Sequence, residues 1–249
     1  MPKNKRYTMK TSEKGKDKPH GYIELKGSAE SADLYIYGDI CDDELTAYWH
    51  GGSCPQDIAD FIAELDQNEQ VNVYINSPGG DVFAGLAICN ILSRHKGKKI
   101  AQVDGMAASM ASVIFAACDE RQINTGAQLM IHNPWTYTCG DAGQLRETAD
   151  LLDEAKESCL EFYMKAVKEG VTKDQLSDLM DAETWMRGEK AAEYFDVKTN
   201  EGAAAAAMVK SDLFGRYKNL PEDLKHPEEK EDSRRADALL ADLYLYGTR

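Results

Sequence analysis

The chain has 249 residues, 43% of them hydrophobic, with a formal net charge of −14. That length supports one large domain or two small ones around a sizeable core, and the negative charge, which repels phosphate, excludes a general nucleic-acid binder. No apolar run approaches the roughly 20 residues of a membrane span, and residues 1–20, basic and polar without an apolar stretch, do not read as a secretory signal.

Residues 1–20, with Lys3, Lys5, Arg6, Lys10, Lys14, Lys16 and Lys18, read as a solvated tail. From Gly21 to about Thr199 the texture is that of a folded domain. Leu34 to Tyr37 reads as a strand. Asp57 to Leu65 reads as a helix, with Ile58, Phe61, Ile62 and Leu65 at helical spacing. Val71 to Ile75 is a strand ending in the turn Asn-Ser-Pro-Gly-Gly at 76–80, and Val82 to Leu92 is a helix. Ile100 to Asp104 is the next strand. A small-residue turn, Gly105 to Ala108, then leads into an apolar helix from Ser109 to Cys118. Leu129 to Ile131 is a short strand. This recurrence of strand, turn and helix predicts an α/β fold with a largely parallel, helix-covered sheet. Sites in such folds gather at the carboxyl ends of strands.

Asp141 to Lys168 reads as one long helix. Leu145, Ala149, Leu152, Ala155, Cys159, Tyr163 and Ala166 form its apolar stripe, suited to packing within the chain or between subunits. Thr172 to Gln175 is a capping box, and Met186 to Tyr194 a further short helix. Residues 200–249 read as a peripheral extension, alanine-rich at Gly202 to Met208 and charged from Pro221 to Arg235. Leu240 to Arg249 regain Leu and Tyr and are candidates for docking. The six cysteines are spread singly, with no Cys-x-x-Cys or Cys/His cluster. Free thiols in a reducing compartment are expected, with no metal and no cofactor.

Chemistry concentrates at two places. Ser109 lies in Gly-Met-Ala-Ala-Ser-Met-Ala (105–111), and His132 follows 23 residues later in Met-Ile-His-Asn-Pro (130–134). A serine is a poor nucleophile until a base takes its proton. A helix start offers it unpaired N–H groups and the positive end of the dipole. The backbone N–H groups of Gly80 and Met110 are candidate oxyanion donors. Spacing alone does not select an acid among 43 acidic residues; Asp181 and Glu183 are candidates. A serine at a helix start is by default only an N-cap, and no Gly-x-Ser-x-Gly elbow surrounds Ser109.

Tyr-Ile-Asn-Ser-Pro-Gly-Gly (74–80) with Ala84-Gly85, the Ser109 and His132 segments, and Trp-Met-Arg-Gly-Glu-Lys-Ala-Ala-Glu-Tyr (185–194) together resemble the Clp protease proteolytic subunit (ClpP) family over residues 30–200. The resemblance implies a ClpP/crotonase-type spiral of βαβ units with a projecting long helix. It implies Ser109 as nucleophile, His132 as base, and Gly80 and Met110 N–H groups as the oxyanion hole. Where that family has Asp two positions before the aromatic, this chain has Glu183, which the resemblance favours over Asp181 as the acid. The extensions resemble the phage and prophage branch of head maturation proteases. The expected protein is therefore a serine endopeptidase forming homo-oligomeric rings in the bacterial cytoplasm. Its substrates would be polypeptides such as capsid, scaffold or portal proteins, with no nucleic acid or membrane partner. The alternatives are a degradative subunit working with an AAA+ unfoldase and a catalytically weak assembly scaffold.

Overall fold

Alternation of apolar and polar residues makes the sheet. In β3 (Ser31–Tyr37), β4 (Gln70–Ser77), β5 (Lys99–Ala108) and β6 (Glu120–Asn124), every second residue is buried, including Leu34, Ile36, Val71, Val73, Ala101, Val103 and Ile123. The computed structural model describes residues 6–13, 16–24, 31–50, 52–67, 69–201 and 211–224. The strands run parallel in the order β3-β4-β5-β6-β9, with β9 at Lys198–Asn200. A short strand, β7 (Gln128–Ile131), pairs parallel with the far end of β5. It also pairs antiparallel with β8 (Thr184–Arg187). The fold is thus mixed α/β with a mostly parallel sheet, as the pattern predicts.

Helices α1 (Glu44–His50), α2 (Pro55–Ala63), α3 (Val82–Arg94) and α4 (Met110–Ala116) follow the early strands. Ile58, Phe61, Ile88, Leu92 and Phe115 pack with the apolar sheet face in one core. All seven residues of α4 are buried, so the stretch behind Ser109 is fixed from every side.

Helix α5 (Ala142–Met164) is 23 residues long and starts at a capping box, where Asp141 accepts from the Gly143 and Gln144 N–H groups. Its buried residues begin only at Ala155. The first half projects, leaving Leu145 44% and Leu151 47% exposed. Its second half reaches the site: Ser112 Oγ donates to the Ser109 carbonyl at 2.5 Å, and Tyr163 Oη lies 2.6 Å from the same Ser112 oxygen. With the Ser112 proton so committed, Tyr163 is the donor to it. Thr172 caps α6 (Lys173–Asp181) as expected, and α7 spans Gly188–Tyr194.

Several expectations are corrected. Gly105 to Ala108 is strand, not turn; a Cβ on Gly105 would lie 2.5 Å from Asn76 Oδ1, so the small residues serve strand packing. The helix expected from Met186 starts only at Gly188, because Met186 and Arg187 belong to strand β8 and pair with Leu129 and Gln128. Strands β6 and β9 and helix α1 were not anticipated. Within the expected N-terminal tail, β1 (Arg6–Glu13) and β2 (Lys16–Glu24) pair antiparallel, so its charges do not prevent a ladder. The C-terminal extension is not wholly peripheral. Residues 211–224, with 3-10 turns at Asp212–Arg216 and Glu222–Leu224, bury Phe214, Tyr217 and Leu220 against Met106, Ala108 and Met130. The alanine run and Leu240 to Arg249 lie outside the described residues. All six cysteines are free, five of them buried. Among the described residues no helix is long and apolar enough to cross a membrane.

Replacing Tyr163 by Phe removes one buried hydrogen bond. It is expected to lower stability by about 1 kcal/mol, read as a shift in the urea unfolding midpoint with an unchanged slope.

Candidate active site

The chain turns sharply where β5 meets α4. Ser109 takes φ 52° and ψ −127°, a conformation uncommon for a residue with a side chain. Its hydroxyl makes no helix-capping bond, which removes the default N-cap explanation. Its backbone N–H donates to the Met130 carbonyl at 2.9 Å, tying the turn to β7. Two residues beyond Met130 stands His132, whose Nε2 lies 2.7 Å from Ser109 Oγ. Both residues stay partly exposed. The register of β5 on β7 therefore produces the pair: Ala108 opposes Met130, and the next residues of each strand turn to one side.

The loop after β4 approaches this pair without side chains. Gly79 has φ 97°, and a Cβ there would lie 2.6 Å from Ser109 Cβ and 3.0 Å from the Met110 nitrogen. Only glycine fits. Gly80, at φ 153°, forms a bridge with Ile40 in which the Gly79 carbonyl and the Asp81 N–H carry the bonds. The Gly80 N–H is not used by that bridge. Met110, the first residue of α4, has an N–H that no helical carbonyl can reach. The glycine turn and the start of α4 thus meet beside Ser109, Gly79 lying against both Ser109 and the Met110 nitrogen.

Glu183 follows the C-cap of α6 in a left-handed conformation, φ 47°, and is 7% exposed. Its charge acts on His132, and its Oε1 accepts the Asn219 N–H at 2.6 Å. Asp181 goes elsewhere. Its carboxylate takes Lys156 Nζ at 2.5 Å and Asn133 Nδ2 at 2.7 Å on the surface. Of the anticipated residues, Ser109 and His132 are in direct contact, Glu183 acts on His132 through its charge, Met110 follows Ser109 and Gly80 follows the glycine packed on it, while Asp181 is held by Lys156 and Asn133.

Three neighbours were not anticipated. Tyr217 sets its ring edge-on to His132, centroids 5.5 Å apart, and its hydroxyl donates to the Pro78 carbonyl. Burial pushes that phenol's pKa up. Lys218 and Asn219 come with it. The available signal was the spacing of Phe214, Tyr217 and Leu220 at every third position. Burial holds the His132 pKa below its ordinary value, with Glu183 opposing and Lys218 reinforcing the shift.

Residues 57–195 match the family described as Clp protease. An ATP-dependent Clp protease proteolytic subunit from Bacteroides fragilis is 31% identical over 136 residues, 54% of this chain and 65% of that protein. Proteins of the same description from Borreliella afzelii and, as subunit 1, from Leifsonia xyli are each 30% identical over 136 residues, 54% of this chain and 68% of theirs. The match spans less than two thirds of the Bacteroides fragilis relative.

Gly79→Ala is expected to force the turn away from Ser109 and Met110. Fluorophosphonate labelling of Ser109 should fall about 100-fold, the scale of a lost oxyanion donor. Labelling against pH should show an acid limb with its midpoint below the ordinary histidine value of about 6.5. Because the folded chain binds that proton more weakly than the unfolded one, stability should rise with pH through the same window and then level off.

Proposed function

Because the chain belongs to the Clp protease family, we propose that it is a serine endopeptidase using Ser109, His132 and Glu183. The 2.7 Å contact of His132 Nε2 with Ser109 Oγ carries this reading. Ser109 Oγ attacks the peptide carbonyl carbon as its proton passes to His132 Nε2. The carbonyl oxygen, now negative, accepts from the Gly80 and Met110 N–H groups. The C–N bond breaks, the amine leaves with the proton from His132, and an acyl ester remains on Ser109. Water, deprotonated by the same imidazole, hydrolyses the ester and restores the hydroxyl. Glu183 stabilises the imidazolium electrostatically and needs no proton of its own. An extended polypeptide enters by strand addition beside Gly80.

The substrate we favour is a structural protein of an assembling phage head, such as a scaffold, capsid or portal precursor. Supporting it are the extensions on both sides of the family match, including a hairpin before it and a docked segment after it. A second reading, a degradative subunit fed by an AAA+ unfoldase, is favoured by the relatives being named ATP-dependent Clp protease proteolytic subunits. In either case the exposed Leu145 and Leu151 on the projecting half of α5 suit contact with a second copy in a homo-oligomeric ring. The bacterial cytoplasm is the proposed location.

Ser109→Ala should reduce peptide hydrolysis by about 10⁶-fold, and Glu183→Gln by up to about 10⁴-fold. Both are checked by kinetics on a fluorogenic peptide. Co-purification of an ATPase, with ATP-dependent loss of a folded substrate, would select the degradative reading. ATP-independent trimming of a head precursor at discrete bonds would select maturation.

A further inference from the structure

The segment after the family match, residues 211–224, clasps the catalytic pair from several directions. Phe214, Tyr217 and Leu220 fill an apolar trough of Met106, Ala108 and Met130, with Trp185 at its edge. These are residues of the strands that deliver Ser109, His132 and Glu183. Tyr217 meets His132 and Trp185 edge-on, at 5.5 and 5.6 Å between centroids, while its hydroxyl holds the Pro78 carbonyl just before the glycine turn. Arg216 lies over the rings of Trp135 and Tyr137, 5.1 and 5.3 Å from their centroids, holding the chain beyond His132. Asn219 gives its N–H to Glu183 Oε1 and its side-chain amide to the Ala182 and Glu183 carbonyls, at 2.7 and 3.3 Å.

These contacts touch the base, the acid, the oxyanion turn and the loop after the base, yet Ser109 remains partly exposed. The apolar anchors of the segment pack on the strands that carry the site, and Ser109 is not sealed by them. Glutamate also has one more side-chain torsion than aspartate, so a carboxylate at position 183 needs an additional restraint to stay beside an imidazole. Asn219 supplies one to the Oε1 atom and two to the left-handed backbone that carries it.

Resting on the serine-peptidase reading above, we infer that Tyr217 and Asn219 are positioning residues. The C-terminal clasp completes the catalytic constellation by orienting His132 and Glu183. The groups facing the imidazole are Glu183 from the α6–β8 junction, Ser109 from the β5–α4 turn, and Tyr217 and Lys218 from the clasp. Two of these four come from outside the matched domain.

The test uses the full chain and a fluorophosphonate probe across pH, with NMR titration of the His132 imidazole. Tyr217→Phe, which keeps the ring and loses the Pro78 bond, should slow Ser109 labelling about 3-fold. Tyr217→Ala should slow it at least 10-fold at saturating pH, and Asn219→Ala, which keeps the main-chain N–H to Glu183 Oε1 but loses both side-chain bonds to the 182–183 backbone, about 3-fold, with melting still cooperative. Lys218→Met, at an exposed position, should raise the His132 pKa without changing the fold, and Tyr217→Ala should raise it by re-solvating the ring. If Tyr217→Ala does not fold, Asn219→Ala and Lys218→Met carry the same decision. Wild-type labelling rates and an unmoved His132 titration in these variants would overturn the inference, leaving the clasp as mere cover. Faster labelling would overturn it in favour of obstruction. Wild-type labelling that survives Ser109→Ala, or no labelling at all, would instead reject the serine nucleophile and the inference with it.

Discussion

A backbone without a side chain at residue 79 is the constraint on which the site depends. The loop after β4 lies so close to Ser109 and Met110 that a single methyl group would collide with the nucleophile's Cβ, the Ala108 carbonyl and the Met110 nitrogen. Gly80 is the next residue of that loop. A bridge to Ile40 fixes it, using the Gly79 carbonyl and the Asp81 N–H rather than the Gly80 N–H. Much of the hydrogen-bonding chemistry proposed here belongs to main-chain atoms, which a fully buried α4 and a paired β7 hold rigidly.

The short strand β7 joins the other parts. It pairs with β5 on one side and β8 on the other, so its two edges set the spacing of Ser109, His132 and the segment that carries Glu183. A slip of one residue would reverse the faces of Met130 and Ile131 and carry His132 away from Ser109. Pairing on both edges of β7 opposes such a slip.

Much of this was legible in the sequence because local chemistry and tertiary demand agree there. The alternation in β3 and β4, the apolar spacing of α2 and α3, the capping box at Thr172 and the glycine pair after a strand each report a local rule that the fold obeys. The Ser109 and His132 segments were legible as motifs. The rest was hidden for identifiable reasons. Gly105 to Ala108 look like a turn because small residues also suit a strand pressed against Asn76. Met186 and Arg187 look like the first turn of the following helix, yet β7 offers them an edge to pair with. The two candidate acids are two residues apart, and only the left-handed turn at Glu183 sends one inward while Lys156 and Asn133 hold the other at the surface. The docking of residues 211–224 was masked by the charged residues between its three anchors.

The backbone angles of Ser109 carry a consequence for how this chain can change over generations. A residue held at φ 52° and ψ −127° sits in a conformation costing about 1–3 kcal/mol, a sizeable part of the margin by which domains stay folded. Selection for robustness alone would relax that turn to glycine and discard the hydroxyl. A serine there sets part of the folding margin against the placing of a hydroxyl beside His132. It also leaves less slack elsewhere in the core for substitutions to accumulate unnoticed.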